Sequence, residues 1–189
     1  MGTPHIASRQ QLCSGKFIKY EMITWEDAKG QARLWEAAER VRGVQAVLII
    51  PWMRPSNQLV LIRQFRPPTG VEVIEFPAGL MEPGESPDAA AVREMREETG
   101  YECKIKAVQP ETFNSPGLTS ETVFNVVAEV ADGAECHPCP DDGENIETVL
   151  VPLDQIGAFV QSEVKQGHRF DSKVWSYLHG LLVGQSLKK

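Results

Sequence analysis

Residues 86–100 impose the strongest local constraint on this chain. Ser86-Pro87-Asp88 is a helix start: a capping serine, a proline at the first helical position and an acid in the first turn. Gly100 can turn left-handed and stop the helix, so the pattern predicts a helix ending at Thr99. Ala91, Val92 and Met95 can face a core. Glu94, Glu97 and Glu98 lie at i, i+3 and i+4 and leave one side within a single turn. Three carboxylates so close repel one another unless something positive sits among them. Oxygen-only ligands suit a hard cation, Mg²⁺ or Mn²⁺, rather than zinc. A solvated acidic face would show the same residues, and the helix alone does not separate the two readings.

That helix needs a layer to pack on, and the chain supplies strands. Residues 12–24 alternate apolar and polar and read as a strand, with a turn at Asp27 to Gly30. Residues 31–42 fit a strand or a helix equally. Val44 to Met53 and Gln58 to Phe65 are strong strands joined by a hairpin loop at Arg54-Pro55-Ser56-Asn57. Val71 to Phe76 is a further strand and Pro77 to Glu85 a loop. Strands follow near 101–112, 121–130 and 146–151, then helices over Pro152 to Lys165 and Asp171 to Val183. Hydrophobic residues are 42% and charged residues 24% of the 189, proportions that exclude a disordered or fibrous chain. Strands mixed with three helices indicate α/β or α+β layers around one sheet.

The residues around the acidic turn carry a longer pattern. Gly79 is followed after five residues by Glu85 and after seven more by Arg93-Glu94-Met95; one residue on stand Glu97-Glu98, and one further Gly100-Tyr101. This resembles the Nudix box, Gly-x5-Glu-x7-Arg-Glu-U-x-Glu-Glu-x-Gly-U, where U is bulky and apolar. Chance alone would match its fixed positions with a frequency on the order of 10⁻⁸ per start point. The resemblance implies a Nudix-type α/β/α sandwich and metal-dependent hydrolysis of a nucleoside diphosphate linked to another group. It also implies metal ligands at Glu94, Glu98 and the carbonyl of Ala78, with Glu97 beside them. Gly79, Glu85 and Arg93 take the family's supporting positions. A diphosphate repels a nucleophile, and a bound Mg²⁺ or Mn²⁺ neutralises that charge.

Further segments resemble the ADP-ribose and ADP-sugar pyrophosphatase branch. They are Arg63-Gln64-Phe65-Arg66-Pro67-Pro68, Glu75-Phe76-Pro77-Ala78-Gly79-Leu80, Ser115-Pro116-Gly117-Leu118-Thr119, Asp142-Gly143-Glu144 and Trp35-Glu36. Pro116 falls sixteen residues beyond Gly100, a placement associated with that branch. The resemblance then implies that Glu144 orients or deprotonates the attacking water, with Glu97 as the other candidate base. Arg66 and Arg40 would clamp phosphate, since guanidinium forms paired hydrogen bonds to it. Glu75 would join the metal shell. Trp35 and Trp25 would stack on the base, and Glu36 is a candidate acceptor for the adenine amino group. The phosphate chemistry would be the same for GDP-mannose or another nucleotide sugar. A non-catalytic Nudix-fold sensor would be expected to lack box acids, and none is missing.

The expected organisation is an N-terminal β segment, residues 1–42, and a hydrolase domain, residues 43–189. The first segment is too small for a core of its own. With Phe17, Ile18, Tyr20, Met22 and Ile23 it is expected to form a homodimer interface. Lys+Arg 19 against Asp+Glu 26 gives −7, a poor partner for nucleic acid or anionic lipid. No apolar run approaches a membrane span, and the first sixteen residues lack a secretory apolar region, so a cytoplasmic protein is expected. Cys136-His137-Pro138-Cys139 is a lone Cys-x-x-Cys. A structural zinc site usually needs two such pairs, so this stretch reads as a reduced loop, with a redox role as the minor alternative; Cys13 and Cys103 are not paired by spacing.

Overall fold

The computed structural model describes residues 2–134, 136 and 145–187. The chain divides into two compact units, Met1–Ala46 with Glu111–Phe124, and Val47–Pro110 with Asn125–Lys189.

The first unit is built on a three-stranded antiparallel sheet in the order β1 (His5–Ser14), β2 (Ile18–Glu26) and β3 (Ala32–Arg40). The strand expected over 12–24 is β2 from Ile18 onward; before it the chain turns at residues 15–17 from the end of β1, where Gly15 N donates to Ile18 O at 2.8 Å and Ser14 pairs with Lys19. Residues 31–42, ambiguous in pattern, become a strand because β2 offers them a partner edge. Between β2 and β3, the Asp27 carboxylate accepts from Lys29 N and Gln31 N and closes the turn.

One face of this sheet buries Glu21, Ile23, Ala37 and Glu39. Buried carboxylates need partners. Arg9 reaches Glu21 at 3.1 Å and Glu39 at 3.4 Å, Lys19 reaches Glu21 at 2.6 Å, and Ser120 donates to Glu39 through its Oγ and its amide. Ile23 is therefore covered within the chain, contrary to the exposed run expected from Phe17 to Ile23. Phe17, Ile18 and Leu34 do stand exposed.

The second unit carries β4 (Ala46–Arg54), β5 (Gln58–Arg66), β6 (Val71–Glu75), β7 (Ala78–Leu80), β8 (Lys104–Phe113), β9 (Thr122–Ala131), β10 (Ile146–Pro152) and β11 (Arg169–Phe170). These strands form one sheet in the order β11-β6-β5-β4-β9-β8, with β10 paired to β5 and β7 to β4; β8 and β9 run on into the first unit. Val47-Leu48-Ile49 and Leu59 to Ile62 are buried without alternation, as strands covered on both faces are. The helices are α1 (Pro87–Thr99), α2 (Ile156–Lys165) and α3 (Ser172–Ser186). The fold is the expected α/β/α sandwich.

Helix α1 begins and ends as its caps dictate. Ser86 Oγ accepts from Ala89 N, and Gly100, at φ +73°, closes the last turn onto Arg96 O. Ala90, Ala91 and Met95 are buried on the sheet side. Two expectations shift. Pro77 to Glu85 contains the short strand β7, because its backbone pairs with β4. A 3-10 turn at Leu153–Gln155 delays α2 to Ile156.

Candidate active site

The acidic turn of α1 is drawn toward β7. Ala78 N donates to Glu98 Oε2 at 3.0 Å, and Glu98 is almost wholly buried. A Cβ at position 79 would overlap the carboxylate of Glu94, so glycine is required there by close approach. The loop after β7 is tied to the helix by Arg93. Its guanidinium bonds Glu85 at 3.0 and 2.9 Å, Glu94 at 2.8 Å, Glu97 at 3.0 Å and Leu80 O at 3.0 Å. The hydrogen bonds that Arg93 donates to Glu85, and then those to Glu94 and Glu97, hold Arg93 far above its ordinary pKa. In return the Arg93 guanidinium holds Glu85 below the usual carboxylate value, helped by a bond from Glu82 N.

The positive group among the acids is thus a side chain of the same helix. Glu94 and Glu97 bond Arg93, and Glu98 accepts from the Ala78 amide. Among the described residues, no group of three or more His, Cys, Asp or Glu side chains is arranged to hold a metal ion. Glu94 and Glu98 both approach the Ala78-Gly79 backbone, and their carboxylate oxygens are donors of the kind a divalent hard ion takes. Arg93 and Glu97 also line an open groove of about 900 Å³ beside α1, with Val92, Arg96, Glu102 and Ile105.

Arg66 and Glu75, expected to serve phosphate and metal separately, are joined to each other. Both bonds of this paired contact, Nε to Oε1 and Nη2 to Oε2, measure 2.7 Å. They meet because β5 and β6 run antiparallel, with Arg66 opposite Val71 and Ile62 opposite Glu75. In the first unit Arg40 is paired with Glu121. Trp25 and Trp35 share the lining of one cavity of about 320 Å³ with His5, Ile6 and Pro116, and Trp35 Nε1 donates to Gly117 O at 3.2 Å.

Glu36 lies on the other face of that sheet from Trp35, as consecutive strand residues must. The Tyr20 hydroxyl is bonded to Glu36, and this raises the Tyr20 pKa above its ordinary value. Trp35 and Glu36 are therefore not brought together on one face. Glu144, with Asp142 and Gly143, lies outside the described residues, as does Cys139. Cys13, Cys103 and Cys136 are free thiols; burial pushes Cys103 up to about 11, and Cys136 Sγ donates to Thr99 O. The sequence reading missed Glu121 and Glu39 as partners of Arg40 and Arg9. Neither carries a local signal, since each partner lies many residues away along the chain.

Residues 43–173 match the NUDIX domain family. The chain is 35% identical to the ADP-sugar pyrophosphatase of Mus musculus, over 92% of this chain and 85% of the relative. It is 33% identical to the ADP-ribose pyrophosphatase of Saccharomyces cerevisiae, over 90% and 79%. It is 30% identical to the GDP-mannose pyrophosphatase of Yersinia enterocolitica, over 92% and 95%. A solved structure described as an ADP compounds hydrolase superposes with a TM-score of 0.69 at 25% identity, covering 85% of this chain and 84% of its own. The chain belongs to the Nudix hydrolase family. Nudix hydrolases generally need divalent metal ions.

Two outcomes follow from this geometry. Gly79→Ala should push the Glu94 carboxylate aside and lower hydrolysis by at least about tenfold, with a change of melting temperature within a few degrees. An unchanged rate would show that Glu94 need not lie against residue 79. The depressed Glu85 pKa gives stability that is present above its ordinary value of 4.5 and lost as pH falls through the lower folded value. Glu85→Gln should therefore be less stable than the parent near pH 7, with the gap closing below pH 4.5 in urea titrations. A gap that stays constant with pH would remove the linkage.

Proposed function

We propose that this chain hydrolyses the pyrophosphate bond of nucleoside diphosphate sugars, with ADP-ribose, cleaved to AMP and ribose 5-phosphate, as the preferred substrate. The observation that carries the reading is the convergence of Glu94 and Glu98 on Ala78-Gly79 within an intact Nudix box. The names of the mouse and yeast relatives favour an adenine nucleotide sugar. The Yersinia relative keeps GDP-mannose as the second reading. A sensor without catalysis is disfavoured because every acid of the box is present.

In this reading Glu94, Glu98 and the Ala78 carbonyl hold Mg²⁺ or Mn²⁺, with Glu97 available beside them. Such an ion supplies positive charge against the diphosphate and eases deprotonation of water. Arg66 grips the diphosphate, and Glu75 sets the plane of its guanidinium. Glu144 takes the proton of the attacking water, with Glu97 as the alternative. Trp35 and Trp25 offer indole faces for a base. Arg40, held by Glu121, is the weaker phosphate candidate. Glu36 faces away from Trp35 and is not assigned the base edge on that face.

No helix among the described residues is long and apolar enough to cross a membrane. The net charge of −7 disfavours nucleic acid and anionic lipid as partners. The exposed Phe17, Ile18 and Leu34 of the first unit support a homodimer.

Release of phosphate from a panel of nucleotide sugars with Mg²⁺ and a coupling phosphatase tests the activity. ADP-ribose should give the highest kcat/KM, and EDTA should abolish turnover. Glu98→Gln should remove most activity in a folded protein, and Glu144→Gln should lower kcat by at least about tenfold with little change in binding. Full activity of Glu98→Gln would refute the metal assignment. An unchanged Glu144→Gln would move the base to Glu97, and GDP-mannose at or above ADP-ribose would reverse the substrate choice.

Light scattering at micromolar concentration should give twice the chain mass. A stable monomer would contradict the dimer.

A further inference from the structure

Gln64 lies on β5 between two partner strands, with Ile146 of β10 opposite it on one side and Val73 of β6 on the other. Its neighbour Arg63 points to the face where it bonds Glu163 of α2. Gln64 therefore points to the opposite face. That face also carries Arg66, two residues on, and Glu75, which holds Arg66. Gln64 is 6% exposed, and its Oε1 is a buried side-chain atom with no hydrogen-bond partner among the described residues.

A buried carboxamide oxygen without a donor weakens a fold, and a leucine of similar size fills the same space without that penalty. Interiors retain such atoms rarely, and a water or a functional demand usually explains them. A buried water is the ordinary donor to such an atom. Water has two O–H donors, so it satisfies Gln64 Oε1 and needs a second acceptor. Glu75 is the diagonal neighbour of Gln64 across β5 and β6, a separation that long side chains span through one water. Each Glu75 oxygen accepts one bond from Arg66 and keeps a further lone pair.

We propose that Gln64 is a positioning residue of the diphosphate site. Through one ordered water it fixes the Glu75 carboxylate, and Glu75 in turn fixes the plane in which Arg66 meets phosphate. The inference rests on the assignment of Arg66 as the phosphate clamp. Guanidinium recognises phosphate as a planar fork, so a Glu75 free to rotate loosens binding before it loosens the fold.

The test is a double-mutant cycle on the full chain, with ADP as the probe and no metal, read by calorimetry. Gln64→Leu should melt at or above the parent temperature and bind ADP about fivefold more weakly. Its KM for ADP-ribose should rise by more than its kcat falls. Arg66→Ala should weaken ADP binding further, and the double variant should bind no worse than Arg66→Ala alone, because Gln64 acts only through Arg66. Parent-like ADP binding by Gln64→Leu, or losses that add in the double variant, would overturn the proposal. So would a Gln64→Leu chain that melts several degrees lower or fails to fold, since the carboxamide would then serve the core. If Arg66→Ala itself leaves ADP binding intact, the phosphate-clamp assignment fails and takes the inference with it. If Arg66→Ala weakens binding and Gln64→Leu does not, only the inference fails.

Discussion

The guanidinium of Arg93 is the contact on which the candidate site depends. Without it, Glu85, Glu94 and Glu97 would bring three negative charges to one helical turn and the loop beside it. With it, the repulsion becomes a network of five hydrogen bonds, four to carboxylates and one to the Leu80 carbonyl. An exposed ion pair contributes about 0–1 kcal/mol, but this guanidinium is half-buried, its bonds to Glu85 are paired, and its partners share one cation. The loop after β7 is thereby fixed on α1. Gly79 can then lie against Glu94, and Ala78 N can reach Glu98. A helix that would be strained by its own charge becomes a rigid mount for two inward carboxylates.

Strand β5 organises the rest of the second unit through its two faces. On one face Arg63 is paired with Glu163, and His168 lies between Glu163 at 2.7 Å and Glu72 at 3.1 Å, binding α2 to the sheet. On the other face Gln64 and Arg66 lie in line with Glu75. The period-two alternation of a strand lets four consecutive residues, Arg63 to Arg66, serve packing and chemistry without interference. The first unit uses the same device. Its sheet sends Glu21, Ile23, Ala37 and Glu39 to a buried face and leaves Glu36 with Tyr20 on the other.

Local features were readable in the sequence, and features that depend on register were not. The limits of α1 follow from Ser86, Pro87 and Gly100, whose preferences act within one helical turn. The strong strands β4 and β5 follow from continuous apolar runs. The turn at residues 15–17 interrupts a run that reads as one strand, and only the pairing of Ser14 with Lys19 shows the reversal. Trp35 and Glu36 are adjacent in sequence and read as one recognition pair, yet adjacency in a strand sends them to opposite faces. Arg66 and Glu75 read as two separate functions because their ion pair exists only through the β5–β6 register.

The sequence by itself determined the acidic helix, its caps, the box spacing and the α/β class, because each rests on contacts within a few residues or on spacing along the chain. Tertiary structure alone decided which charges meet. Arg40 with Glu121, Arg9 with Glu39, Arg63 with Glu163 and the buried oxygen of Gln64 all arise from chain segments that are distant in sequence. The reason is physical. A buried charge or amide must be satisfied by whatever the packed layers place beside it, and strand register, not residue order, makes that choice.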